Sequence, residues 1–142
     1  MSLARDLFIA CDAYLAALRV DRMLASHGLA ATALWAKRGV TEVEDLVNIE
    51  RATRIARIVN FACRHGIRSS TCLTRSLTLI RLLSRRGLES QLKIGVRIDD
   101  SEKMAAHAWV EVAGLPVNDK KDVASDFHVV PLEEPLGFNA FV

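Results

Sequence analysis

The spacing of apolar residues changes once along this chain, at Gly87, and that change restricts the fold more than anything else in the sequence. Before Gly87, apolar side chains recur every three or four residues, the repeat of a helix with one buried face. After it, Leu92, Ile94, Val96 and Ile98 alternate with Lys93, Gly95 and Arg97, the repeat of a strand. Helices followed by an antiparallel β-meander make an α+β fold.

In the helical part, Leu3, Leu7, Ala10, Tyr14, Ala17 and Leu18 predict a helix over 3–26, stopped at His27-Gly28. A shorter helix follows over about 29–37. Thr41-Glu42-Val43-Glu44 then reads as a capping box, in which Thr41 caps the helix and Glu44 reaches back. That helix runs to about Arg64. Its apolar side is Val43, Leu46, Val47, Ile55, Ile58, Val59 and Ala62; Glu50, Arg54, Arg57, Arg64 and Arg68 form a mostly basic stripe opposite. Such a stripe is either a solvated face or a dock for an acidic peptide or partner protein. A third helix begins at Cys72, after the competent N-caps Ser69, Ser70 and Thr71, and closes with Arg85-Arg86 before Gly87.

Beyond the first strand, Asp99 to Lys103 is a polar loop, Ala105 to Val112 a second strand and Leu115 to Asp119 a third. Phe127 to Val130 fits a fourth, and Pro131 to Val142 a tail. The 142 residues suit a single domain, 1–142, with a helical part at 1–66 and a core bearing the chemistry at 67–142. A 51% hydrophobic and 25% charged composition excludes disorder, and a net charge of +2 gives no argument for nucleic acid. No apolar run reaches the roughly 18 residues of a membrane span. Arg5, Asp6 and Asp12 interrupt the N-terminal apolar positions, unlike a signal peptide. Three cysteines without framework spacing point to free thiols in a reducing cytoplasm.

Three residues carry the candidate chemistry. Cys72 sits at a helix N-terminus, where the dipole and free N–H groups favour the thiolate, which is the nucleophile. Its bland alternative is a buried structural cysteine, as expected for Cys11 and Cys63. His107 lies in the second strand beside Trp109 and Glu111, on the face opposite Ala106, Ala108, Val110 and Val112. A three-residue turn, Val112-Ala113-Gly114, would set Glu111 opposite Leu115 and His107 opposite Asp119 on one face. Asp119 would then orient one nitrogen of His107 while the other faces the thiol, the logic of a catalytic triad. A two-residue turn would shift the register by one and turn Asp119 away. A zinc site from Cys63, His65, Cys72 and His107 lacks ligand spacing, so no metal is expected. Trp109 and Arg75 are candidates for substrate contact, with hairpin packing and a solvated arginine as the alternatives. Ser76, beside Arg75, reads as a filler serine, with substrate contact as the alternative.

Four blocks in order carry a resemblance: Cys-Leu-x-Arg-Ser-Leu-x-Leu-x-x-Leu-Leu-x-x-x-Gly at Cys72–Gly87, Leu-x-Ile-Gly-Val-Arg at Leu92–Arg97, Ala-His-Ala-Trp-Val-Glu at Ala106–Glu111, and Gly-x-Pro-Val-Asn-Asp at Gly114–Asp119. Together they resemble the transglutaminase-like cysteine peptidase domain of lasso-peptide maturation proteins, the microcin-processing B protein family. The resemblance implies a papain/transglutaminase-like fold and a cofactor-free leader peptidase, with Cys72 as nucleophile, His107 as general base and acid, and Asp119 as orienting acid. It further implies a precursor leader peptide as substrate, a separate winged-helix leader-recognition protein, and an ATP-dependent lasso cyclase that closes the freed core. Because its first 70 residues read as helices without strands, the chain is expected to lack the winged-helix domain of fused members and resembles the standalone peptidase half of a split B protein. Transglutaminase-like acyl transfer, or a non-catalytic protein-binding module, remain the competing readings.

Overall fold

The computed structural model describes residues 3–38, 46–66 and 70–131. Helices α1 (Leu3–Ala36), α2 (Leu46–Arg64) and α3 (Cys72–Arg85) come first. Strands β1 (Gln91–Ile98), β2 (Met104–Val112) and β3 (Leu115–Pro116), a 3₁₀ turn at Val123–Asp126 and strand β4 (His128–Val130) follow. The fold is α+β, as the change of period requires. The expected capping box at 41–44, the cap Ser69, the stripe residue Arg68 and nearly all of the expected tail lie outside the described residues.

The two helices expected before residue 38 are two limbs of α1, broken at Gly28, whose φ of 81° and ψ of 179° leave the helical region. The Thr32 hydroxyl donates to the Gly28 carbonyl at 2.7 Å, tying the second limb to the break. The basic stripe of α2 is partly internal, because Arg54 pairs with Asp6 of α1. Among the described residues no helix is long and apolar enough to cross a membrane.

Helix α3 is the centre of the molecule, packed on α1 and α2 on one side and on β2 on the other. Nearly every side chain on it is buried; only Arg75, Arg81 and Arg85 reach the surface. Leu77, Leu79, Ile80, Leu82 and Leu83 are fully enclosed, and each such burial contributes about 1.5–3 kcal/mol. Polar ties fix its rotation. The Thr74 hydroxyl donates to Asp21 of α1 at 2.6 Å, and Asp12 accepts from Arg85 at 2.9 Å and Arg86 at 3.4 Å. These contacts hold the N-terminus of α3, and with it Cys72, in one place against the sheet.

The sheet order is β3-β2-β1-β4, each pair antiparallel. Leu92, Ile94 and Val96 pair with Val110, Ala108 and Ala106 and face the helices. The meander accounts for β1–β3 only, because β4 crosses to the opposite edge and pairs with β1. The hairpin also departs from expectation. Val112 pairs with Leu115, so the turn is the two-residue Ala113-Gly114, with left-handed φ values of 51° and 78°. That combination is a type I′ turn, the kind whose twist matches the strands it joins. An alanine in a left-handed conformation costs roughly 1–2 kcal/mol, so sequence reasoning looked for one left-handed residue where the chain uses two.

Candidate active site

Carried onward, the observed register would place Asp119 opposite Ala108, on the wrong face for His107. The ladder does not carry onward. β3 ends at Pro116. The Val117 N–H still donates to the Val110 carbonyl at 3.0 Å, but the Val110 N–H turns to the Asn118 side chain, donating to Oδ1 at 2.8 Å. A side chain thus takes the place of the next ladder carbonyl, and the backbone leaves the strand line. Asp119 swings back, and its Oδ2 lies 2.5 Å from His107 Nε2. The expected partnership forms by a different route from the expected register. The other carboxylate oxygen accepts from the Lys120 N–H at 2.8 Å, so both oxygens of Asp119 are held.

The short β3 has a second effect. In an antiparallel strand, residues of one parity aim both backbone groups at the same neighbour, so Ala108, like Val110, points toward the β3 side. Among the described residues no strand covers it there, and α3 fills the edge. The Ser76 hydroxyl donates to the Ala108 carbonyl at 3.1 Å, and the Ala108 backbone also hydrogen-bonds the sulfur of Cys72. Cys72 stands on the helix side of the sheet and His107 on the other; they meet around this open edge.

Cys72 is the first residue of α3. Thr71 caps the helix, its hydroxyl accepting the Thr74 N–H at 3.2 Å, and its carbonyl takes the Arg75 N–H at 3.0 Å. Arg75 donates to the Ser70 carbonyl at 2.8 Å, so it braces the entry to the helix. Burial pushes the Cys72 thiol up. The hydrogen bonds with His107 and Ala108, and then the charges of His107 and Arg75, outweigh it and leave the thiol below its ordinary value. His107 is raised, first by the hydrogen bond with Cys72 and then, against burial, by Asp119. With Nε2 on Asp119, Nδ1 is the nitrogen left for the sulfur. Cys63 makes the contrast: it is as buried as Cys72, and burial pushes its thiol up. Cys72 is 3% exposed, whereas the His107 and Asp119 side chains are 25% and 24% exposed, so the site opens on the His–Asp side.

Trp109 is fully buried and its indole N–H donates to Glu111 at 2.9 Å, which places it in the support of the site rather than at its mouth. The residue that shields His107 is Phe127, stacked on the imidazole with centroids 5.2 Å apart, and the Arg97 guanidinium lies over the Phe127 ring, 5.1 Å from its centroid. Phe127 fits there because Gly95, which pairs with His107, has no side chain. Sequence reasoning missed Phe127 and Asn118. The Gly95 that interrupts an alternating strand was the available signal for the first; the adjacency to Asp119 was the only one for the second. Ser76, read as filler, is wholly enclosed and spans helix and strand. Cys63, His65, Cys72 and His107 do not gather as a set of four; His65 packs tilted against Phe61 with ring centroids 4.4 Å apart, and among the described residues no group of three or more His, Cys, Asp or Glu is arranged to hold a metal ion.

A thiol at a helix N-terminus, facing a His–Asp pair on an antiparallel sheet, defines a cysteine-centred transglutaminase-like fold. Residues 14–131 match the model of the Transglutaminase-like superfamily, and the chain belongs to that superfamily. It is also similar to the Microcin J25-processing protein McjB of Escherichia coli, with 38% identity over 65 residues, 46% of this chain and 30% of that protein. The chain therefore matches less than a third of that relative's length. No solved structure matches it.

Proposed function

We propose that the protein is a cysteine peptidase of lasso-peptide maturation, which removes the leader from a ribosomally made precursor. The observation that carries this reading is His107 held between Cys72 and Asp119, and the likeness to a microcin-processing protein supports it. The Cys72 thiolate attacks the scissile carbonyl, forming the C–S bond and an oxyanion. Thr71 occupies the Thr74 N–H, which leaves the N–H groups of Cys72 and Leu73 to face that oxyanion. Collapse breaks the C–N bond as imidazolium His107 gives its proton to the departing amine. Neutral His107 then takes a proton from water, whose oxygen attacks the thioester, and acid and thiolate are released. Asp119 orients His107 and steadies the imidazolium. No cofactor enters any step.

On this reading the precursor's leader reaches the site through a separate winged-helix recognition protein, and an ATP-dependent cyclase consumes the freed amine. Superfamily membership favours a second reaction at the same thioester, transfer to an amine instead of water. Mass spectrometry of precursor incubated with the protein and the recognition protein separates the two. Hydrolysis gives leader acid and core amine; transfer gives an isopeptide. The Cys72→Ala variant is expected to give neither, and cleavage retained by that variant would overturn the assignment.

A further inference from the structure

We propose that Ser76 and Asn118 are positioning residues, a buried clasp that replaces the missing part of β3 and sets the Cys72–His107–Asp119 line. Ser76 lies one helical turn after Cys72 and so on the same face of α3. It is wholly buried, and its hydroxyl is engaged both ways: it donates to the Ala108 carbonyl at 3.1 Å and accepts from Asn118 Nδ2 at 3.2 Å. The other end of the Asn118 amide accepts the Val110 N–H at 2.8 Å. Only one amide orientation satisfies this arrangement. Turned over, the amide would set Nδ2 against the Val110 N–H, donor against donor.

The clasp joins three things the reaction needs in register. It ties the helix that carries the thiol to Ala108, whose backbone also bonds that thiol. It holds β2 at Val110, three residues from His107. It turns the chain out of the strand at Asn118, immediately before Asp119. Without Asn118, the Val110 N–H would take the Val117 carbonyl in the ordinary ladder. Asp119 would then follow the strand register to the wrong face. The distance between a peptidase-like line and a plain hairpin is therefore one asparagine side chain.

This role belongs to the site read above as catalytic, yet it shows in the thiol itself, before any substrate is added. Alkylation by iodoacetamide is followed at Cys72 by peptide mass spectrometry across pH, in the full chain and in Ser76→Ala, Asn118→Ala and Thr78→Val. Thr78 is equally buried on α3, and its hydroxyl donates to the Thr74 carbonyl without touching the clasp. Both clasp variants are expected to move the alkylation profile toward higher pH and slow labelling near neutrality, roughly tenfold for each unit of displacement. Thr78→Val is expected to lower thermal stability and leave the profile in place. Unchanged profiles in Asn118→Ala, or an equal displacement in Thr78→Val, would overturn the proposal. Should Ser76→Ala not fold, Asn118→Ala decides alone, since Asn118 is only part-buried. Loss of leader cleavage with an intact alkylation profile would count against the clasp and leave the peptidase reading standing.

Discussion

Replacing Gly95 with alanine tests how the site is roofed. A Cβ built at Gly95 lies 2.4 Å from Phe127 Cβ, a full 1.0 Å inside the ordinary contact range that begins at 3.4 Å, and 3.1 Å from Trp109 Cζ3. Phe127 cannot answer by changing rotamer, because its Cβ moves only with the backbone. That backbone leads directly into β4, where Val129 pairs with Gly95 itself. Overpacking of this kind costs about 1–3 kcal/mol. Against it, alanine in a strand gains about 0.5–1 kcal/mol over glycine. No rotamer relieves the clash, so the upper end of that cost applies and the net loss is about 2–2.5 kcal/mol, which for a domain of this size lowers Tm by roughly 4–10 °C. Thermal unfolding followed by circular dichroism reads it. The same substitution made in a Phe127→Gly background should lose most of the penalty, because the opposing Cβ is gone and only the Trp109 contact remains; in a Phe127→Ala background most of the penalty should remain, because that Cβ stays. A Gly95→Ala protein as stable as its parent, or a penalty indifferent to residue 127, would refute the packing argument.

Two further outcomes concern the charges. Asp119→Asn keeps an acceptor near His107 but removes the charge, and a hydrogen bond to a charged group contributes about 1.5–3 kcal/mol; single-turnover leader cleavage should slow roughly 10- to 100-fold. An unchanged rate would mean that another group orients His107. The pH dependence has a definite sign. Reaction rises with pH as Cys72 ionises, below the ordinary thiol value, and falls as His107 loses its proton, above the ordinary imidazole value. In Asp119→Asn the imidazolium is easier to deprotonate and stabilises the thiolate less, so both limbs of the bell should move inward. A bell of parental width in the variant would contradict the ion-pair account.

The helices, their breaks at Gly28 and Gly87, the first two strands and the placement of Cys72 were legible because each rests on a local rule. Periodicity, caps and glycine conformations act within a few residues. The hairpin was not legible, for a physical reason that Ala113 and Asn118 make plain. Alanine carries no signal for a left-handed conformation, and nothing local distinguishes an asparagine that ends a strand from one that replaces part of it. Two departures, a turn one residue shorter and a ladder abandoned at Asn118, cancel at Asp119. The contact with His107 was therefore expected correctly from a register that does not exist. Phe127 and the crossing of β4 depend on tertiary space above Gly95, which only the assembled sheet defines.

The enclosure of α3 also bears on when the thiol becomes dangerous. A helix of 14 residues is marginal alone in water, and this one has apolar and polar attachments on nearly every side. It cannot settle until α1 has docked from one side and β2 from the other. While the chain is being synthesised, Cys72 emerges well before His107 and Asp119, and without them it is an ordinary thiol with ordinary reactivity. On the proposed reading, nucleophilic character arrives only once β2 and the segment through Asp119 are in place. A peptidase of this kind would thereby be guarded against attacking neighbours during biogenesis, through the order in which its parts become available.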